Sequence, residues 1–276
     1  MKMRKVWKIV WTFALILVLL SIIFPVYMMF QFSISDRDSI VTGGEYLPPW
    51  FPFHPTLEMY GTMLSDARMI DAALMSIAIA VLTVILTLII GAPTAFGLTR
   101  YKVPGSAVLL VAILGIRFFP DVASAVPILE MFTRIGLTKN VWGVMLTHTL
   151  VALPYVIFIS MGVFETIPKD LEEQAHVLGA SKFYSFVHVV LPVAAPGLAA
   201  SAIYTFLLSW NEFIFAYFLL WGGTDTLPVF LQRAVFEAPQ DNVLMTIAVI
   251  ITVPVIIFTF ATQKYMKMGM TAGSVK

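Results

Sequence analysis

Six stretches of this chain are long and apolar enough to cross a bilayer, at 9–30, 72–98, 107–127, 141–164, 194–220 and 243–263. A hydrocarbon core about 30 Å thick takes about 20 helical residues to span. Inside it, every backbone N–H and C=O must be satisfied within its own helix or around a closed barrel. The stretches lack the alternating pattern of lipid-facing strands, so the expectation is an all-α polytopic membrane protein with six transmembrane helices. The composition agrees, because 59% hydrophobic and 12% charged residues leave too few charges to coat a globule of 276 residues in water. The first apolar run is too long for a signal peptide and no A-x-A site follows Phe30, so it is expected to remain as an anchor. Residues 1–276 read as a single domain, without long repeats or low-complexity linkers.

Basic residues orient the spans. A cytoplasmic N-terminus puts Lys2, Arg4, Lys5, Lys8, Arg100, Lys102, Lys169, Lys182, Lys264, Lys267 and Lys276 inside, against Arg37, Arg68, Arg134, Lys139 and Arg233 outside. Both termini and the 165–193 loop are then cytoplasmic, and 31–71 and 221–242 are extracytoplasmic. The proline-aromatic run at 47–55 (LPPWFPFHP) suits an ordered external loop near the interface. Pro25, Pro93, Pro120, Pro127, Pro154, Pro196 and Pro254 fall within the spans, where prolines kink helices. Small side chains at Ala199, Ala200, Ser201 and Ala202 permit close helix approach.

The cytoplasmic loop 165–193 is the one long polar break with helical patterning. Leu171, Ala175 and Leu178 recur at helical offsets beside Asp170, Glu172 and Glu173, following a Pro168 suited to a helix start. Gly179 is placed to end that helix, and Ser181 to cap a second one whose Phe183, Phe186, Val187 and Val190 form an apolar face ending before Pro192. The result is two short amphipathic helices on the membrane surface, which serve either as an interfacial anchor or as a docking element.

The offsets favour docking. Glu173, Ala175, Gly179, Val189, Leu191 and Pro192 resemble the EAA loop of ABC importer permeases, with Gln174 and Leu178 departing from the pattern. RYKVPG at 100–105, Phe119-Pro120, IGLTKNVWG at 135–143, WNEF at 210–213 and TAGSVK at 271–276 are similar to the carbohydrate permeases of the maltose type, so the resemblance covers nearly the whole chain. It implies a type I importer membrane domain working by alternating access beside a second, different permease subunit, an ABC ATPase dimer and an extracytoplasmic solute-binding protein. ATP and magnesium would sit on the ATPase, and this chain would bind no cofactor. Glu172, Glu173, Ala175, Gly179, Ala180, Leu191 and Pro192 would form the coupling element, and Thr271, Gly273 and Lys276 would reach toward the ATPase. The 221–242 segment would touch the binding protein or cap the bundle.

No G-x-x-x-x-G-K-[ST] occurs and there is no cysteine, so neither a phosphate-cradling loop nor a thiolate nucleophile or metal site is available. No catalytic residue, metal ligand or nucleic-acid surface is expected. Ionisable residues within spans are functional candidates by default. Arg117 and Asp121, one turn apart, form either an intrahelical pair or part of a solute path. Asn211 and Glu212 bind solute, or Glu212 is a buried strut between permeases; His148 is a satisfied core histidine or a proton carrier. A proton-coupled secondary transporter using Arg117, His148 and Glu212 is one rival, and a non-transporting scaffold is another. Other ABC solutes, such as amino acids, polyamines or glycerol phosphate, also use an EAA loop.

Overall fold

The computed structural model describes residues 2–36, 41–42, 45–46, 55–101, 103–237 and 240–272. Described residues are almost entirely helical. In chain order the helices are α1 (Lys2–Ser33), α2 (Glu58–Ser65), α3 (Ala67–Arg100), α4 (Ser106–Gly115), α5 (Asp121–Arg134), α6 (Val141–Glu165), α7 (Asp170–Val177), α8 (Lys182–Ser185), α9 (Leu191–Asn211), α10 (Ile214–Leu219), α11 (Leu227–Glu237) and α12 (Asp241–Ala272). A two-stranded antiparallel ribbon, β1 (Val41–Thr42) and β2 (Glu45–Tyr46), lies between α1 and α2 and was not foreseen. Most of the 47–55 run lies outside the described residues.

Five helical segments are long and apolar enough to cross a membrane: Trp7–Ser33, Ala67–Arg100, Val141–Glu165, Lys182–Asn211 and Asp241–Phe260. The third apolar stretch, expected as one span, is instead broken into pieces. α4 ends at Gly115, a single 3-10 turn covers Ile116–Phe118, and α5 starts after Pro120. Proline disfavours helical geometry at the residue before it, so Phe119 cannot carry the helix on. By contrast, α1, α3, α5, α6, α9 and α12 run through Pro25, Pro93, Pro127, Pro154, Pro196 and Pro254.

The fifth stretch also departs from expectation at both ends. Its helix begins at Lys182, passes through a π turn at Phe186–Val190 and continues into α9, so Pro192 does not end the second loop helix. A proline ring clashes with the carbonyl four residues earlier, here that of His188, and a widened π turn relieves such a clash. The helix then stops at Asn211, and α10 starts at Ile214 after two intervening residues.

The chain forms two compact units, Met1–Ile70 with Phe230–Val253, and Asp71–Val229 with Pro254–Lys276. In the first, the end of α1 is tied by Ser33, whose Oγ lies 2.7 Å from the Tyr60 hydroxyl and whose carbonyl accepts from Thr246 Oγ1 at 3.1 Å. The second has two apolar cores. One joins Ile79, Ala125, Phe132, Val144, Phe215 and Leu219; the other joins Phe96, Ile157, Phe164, Phe186, Val190 and Leu198. Close approach is set by glycine: a Cβ on Gly197 would sit 2.6 Å from Val163 Cγ1, and one on Gly143 would strike the Leu137 carbonyl oxygen. The second contact explains why a glycine follows the Asn140 cap, whose Oδ1 accepts from the amides of Trp142 and Gly143.

Candidate functional site

The loop between α6 and α9 is built by local rules. The Gly179 amide donates to the His176 carbonyl at 2.9 Å and the Ala180 amide to the Ala175 carbonyl at 3.0 Å. This is the Schellman pair of bonds, and it requires a left-handed residue; Gly179 supplies φ +88°. Ser181 then caps α8, its Oγ accepting from the Tyr184 amide at 3.2 Å. The expected helix, glycine turn and serine-capped helix are all present.

The apolar faces divide differently from the sequence pattern. Leu171 and Ala175 are half-buried, but Leu178, expected in the same stripe, is 88% exposed because it is the C-cap residue, where the chain turns away. Phe186 and Val190 are buried and Val187 is half-buried, while Phe183 stands 76% exposed beyond the π turn. The loop therefore presents Val177, Leu178, Phe183 and Tyr184 outward. Gly179 is exposed and Ala180 half-buried beneath them, and Leu191 and Pro192 open α9 as half-buried and exposed residues.

The two loop glutamates have different surroundings. Glu173 is exposed and makes no ion pair among the described residues. Glu172 turns inward: its Oε1 accepts from Arg100 Nε at 2.5 Å, and both side chains are largely buried at 14% and 5% exposure. Arg100 also donates from Nη2 to the Ile167 carbonyl at 2.8 Å and lies over the Phe96 ring at 5.9 Å. Phe96 packs on Phe164 and Phe186 at centroid distances of 5.6 and 4.7 Å. The end of α3, the end of α6, α7 and the start of the α8–α9 helix are thus clamped at one point. In the sequence Arg100 served to orient the spans and as part of RYKVPG; a lone arginine at a span end gave no sign of its partner 72 residues on.

Glu212 and His148 meet as an internal strut. His148 is fully buried, with Nδ1 2.7 Å from Ser209 Oγ and Nε2 2.9 Å from Glu212 Oε2. Glu212 also accepts from the amides of Phe215 at 2.8 Å and Ala216 at 3.1 Å. These are free N–H groups of the first turn of α10, so the carboxylate both caps α10 and holds α6 to α9. This local competition with the helical ladder accounts for the break in the fifth stretch. Asn211 donates instead to the Leu207 carbonyl in its own helix at 2.8 Å.

Arg117 Nη1 and Asp121 Oδ1 are 3.1 Å apart across the break in the third stretch. The guanidinium stands 5.7 Å from the Tyr155 ring centroid, and Tyr155 lies 5.1 Å from Tyr204. Ser209, Tyr155 and Tyr204 were missed in the sequence, where a serine or tyrosine in a span has no distinguishing neighbour. In the 221–242 segment, read as a loop, the structure adds α11 and a turn at Gly222, φ +75°. Thr271 lies in the last turn of α12, and Gly273 and Lys276 lie outside the described residues. Among the described residues no three of His, Cys, Asp and Glu come together as a metal-ligand group.

Multiple apolar helices, five of them long enough to cross a membrane, and a polar loop with an apolar tip are the architecture of a multi-pass membrane protein. Residues 73–271 match the family described as binding-protein-dependent transport system inner membrane component, and this chain belongs to that family. It is 31% identical over 257 residues to the trehalose transport system permease protein SugB of Mycobacterium tuberculosis, covering 91% of this chain and 92% of that one. It is 29% identical over 270 residues to the trehalose/maltose transport system permease protein MalG of Thermococcus litoralis, covering 95% and 94%. The fold matches a chain in the crystal structure of a bacterial ABC transporter involved in import of the acidic polysaccharide alginate, with a TM-score of 0.80 at 24% identity over 95% and 96% of the two chains. The type I importer fold expected from the sequence is therefore the fold observed.

Proposed function

We propose that this chain is one of two different permeases of an ATP-driven importer for a sugar or oligosaccharide, in the cell membrane with both termini cytoplasmic. One observation carries the coupling role: Val177 and Leu178, each 88% exposed, and Phe183, 76% exposed, crown a loop that the buried Arg100–Glu172 pair holds rigid. Exposed apolar residues on an ordered, polar-rimmed element mark a protein contact. An ABC ATPase dimer, carrying ATP and magnesium, is the partner that fits. Glu173 gives that contact its charge, Gly179 and Ala180 its turn, Ala175 its footing, and Leu191 and Pro192 its link to α9. Glu172 serves indirectly, as the clamp. The tail with Thr271, Gly273 and Lys276 approaches the same ATPases, and the 221–242 segment receives an extracytoplasmic solute-binding protein. Residues 1–276 act as one membrane domain on this reading.

ATP binding draws the coupling loops together, and the clamp moves the ends of α3 and α6 with them. Moving a two-state equilibrium from 1:99 to 99:1 takes about 5.5 kcal/mol of differential binding, within reach of nucleotide and a docked binding protein acting together. Of the path candidates, Arg117 and Asp121 are retained; the bonds made by Glu212 and Asn211 favour structural roles for them. The names of the trehalose and maltose relatives support sugar as the cargo.

The complete importer, reconstituted with its binding protein, should hydrolyse ATP several-fold faster with trehalose, maltose or a related oligosaccharide than without solute. Stimulation only by amino acids, polyamines or glycerol phosphate would refute the sugar assignment and leave the coupling role standing.

A further inference from the structure

We propose that a cleft at the membrane face opposite the loop between α6 and α9, walled by Leu129, Tyr217, Phe218 and Trp221 beside Lys139, binds one anionic phospholipid, an acyl chain in the cleft and the phosphate at the Lys139 ammonium. Such a site is independent of the cargo and of the contact with the ATPases.

α6 fixes the depth of the cleft. Its 25 residues rise about 37 Å at 1.5 Å each, enough to cross a hydrocarbon core of about 30 Å. With Glu165 at one membrane face, the residues just before Val141 therefore lie at the other. Trp142 and Trp221, 54% and 57% exposed, stand at that level, where the amphipathic rings of tryptophan and tyrosine meet the headgroups.

The cleft has a volume of about 410 Å³, within the range of about 300–1,000 Å³ that small-ligand sites occupy. Leu129 and Thr133, one turn apart on α5, line one side; Tyr217 and Phe218 on α10 and Trp221 just after it line the other. The Tyr217 ring meets Phe218 at 5.8 Å and Trp221 at 5.2 Å, both edge to face, so the aromatic wall is braced internally. The Thr133 hydroxyl is engaged by the Leu129 carbonyl at 2.7 Å. These walls suit a chain of methylenes, and the ionic group beside them is Lys139.

Lys139 is exposed and forms no ion pair among the described residues, whereas Arg134 at the end of α5 is paired with Glu130 at 2.5 Å. Its φ of +61° is a left-handed conformation seldom adopted by residues with long side chains. In that conformation its amide donates to the Leu219 carbonyl at 2.7 Å and its side chain passes the following turn, so that a Cβ on Gly222 would lie 3.7 Å from Nζ. Strained backbone of this kind gathers at functional positions. An unpaired ammonium beside an apolar cleft at headgroup depth complements a lipid of net negative charge. A zwitterionic lipid brings its own cation to the same place, and a soluble phosphate leaves the aromatic wall uncovered.

The test uses the complete importer, with its second permease, ATPases and binding protein, in phosphatidylcholine nanodiscs. These are doped with phosphatidylglycerol or phosphatidylcholine carrying a diazirine on one acyl chain. On irradiation, the phosphatidylglycerol probe should label the peptides holding Leu129 and Tyr217 to Trp221 about fivefold more than the phosphatidylcholine probe, the factor that one basic residue contributes near an anionic lipid surface. Lys139→Gln should erase that difference, and Lys139→Arg should keep it. Thr133→Trp, which fills the cleft from an exposed position, should remove labelling of these peptides by both probes. Equal labelling in wild type, a difference that survives Lys139→Gln, or labelling that survives Thr133→Trp overturns the proposal. Absence of label from these peptides also overturns it, as happens when a partner protein fills the cleft. Loss of the difference on adding excess free glycerol phosphate would assign the site to a soluble anion and overturn the lipid. Should Thr133→Trp fail to co-purify with the ATPases, the two Lys139 variants decide.

Discussion

Arg100→Ala is expected to destabilise the permease by about 3–5 kcal/mol, the usual penalty for removing one partner of a buried ion pair. Both side chains lie mostly out of solvent, and the change strands the Glu172 carboxylate and the Ile167 carbonyl together. For a chain of this size the apparent melting temperature in detergent should fall by roughly 10 °C. Removing the stranded charge as well, in Arg100→Ala with Glu172→Ala, should restore a good part of the loss, since the two sites form one interaction and do not add. A melting temperature unchanged in the single variant would mean that the clamp contributes no stability.

Glu173→Lys should behave in the opposite way. The side chain is exposed and free of ion pairs among the described residues, so stability should stay within about 0.5 kcal/mol of wild type. Contact with the ATPase should nevertheless weaken by at least about thirtyfold, because reversing one charge of an interfacial pair costs upwards of about 2 kcal/mol. Co-purification of the ATPase with the variant permease at equal yield measures this directly. Undiminished recovery would remove Glu173 from the interface. Together the two variants would separate a clamp that holds the loop from the proposed contact that uses it.

Much of the loop between α6 and α9 was legible because its rules are local. A glycine at Gly179 and a serine at Ser181 specify a turn and a cap by backbone conformation and a hydrogen bond within three residues, and both form as read. The limits of the third and fifth spans were not legible, since hydropathy is blind to a carboxylate that captures amides, as Glu212 does, and to a helix halted at Phe119-Pro120. Apolar periodicity also misassigned Leu178 and Phe183, because a C-cap and a π turn each shift the phase of a helix by a fraction of a turn. Partners distant in sequence, Arg100 with Glu172 and His148 with Ser209 and Glu212, depend on packing that single-sequence patterns do not carry.

The most direct test of ATP-driven, loop-coupled transport is trehalose uptake into proteoliposomes holding the complete importer, with ATP available to the ATPases and the binding protein on the opposite face. Uptake should require ATP, persist when an ionophore collapses the proton gradient, and vanish with Glu173→Lys. Uptake that proceeds without ATP and stops with the ionophore would contradict the account and point to the proton-coupled alternative built on Arg117, His148 and Glu212.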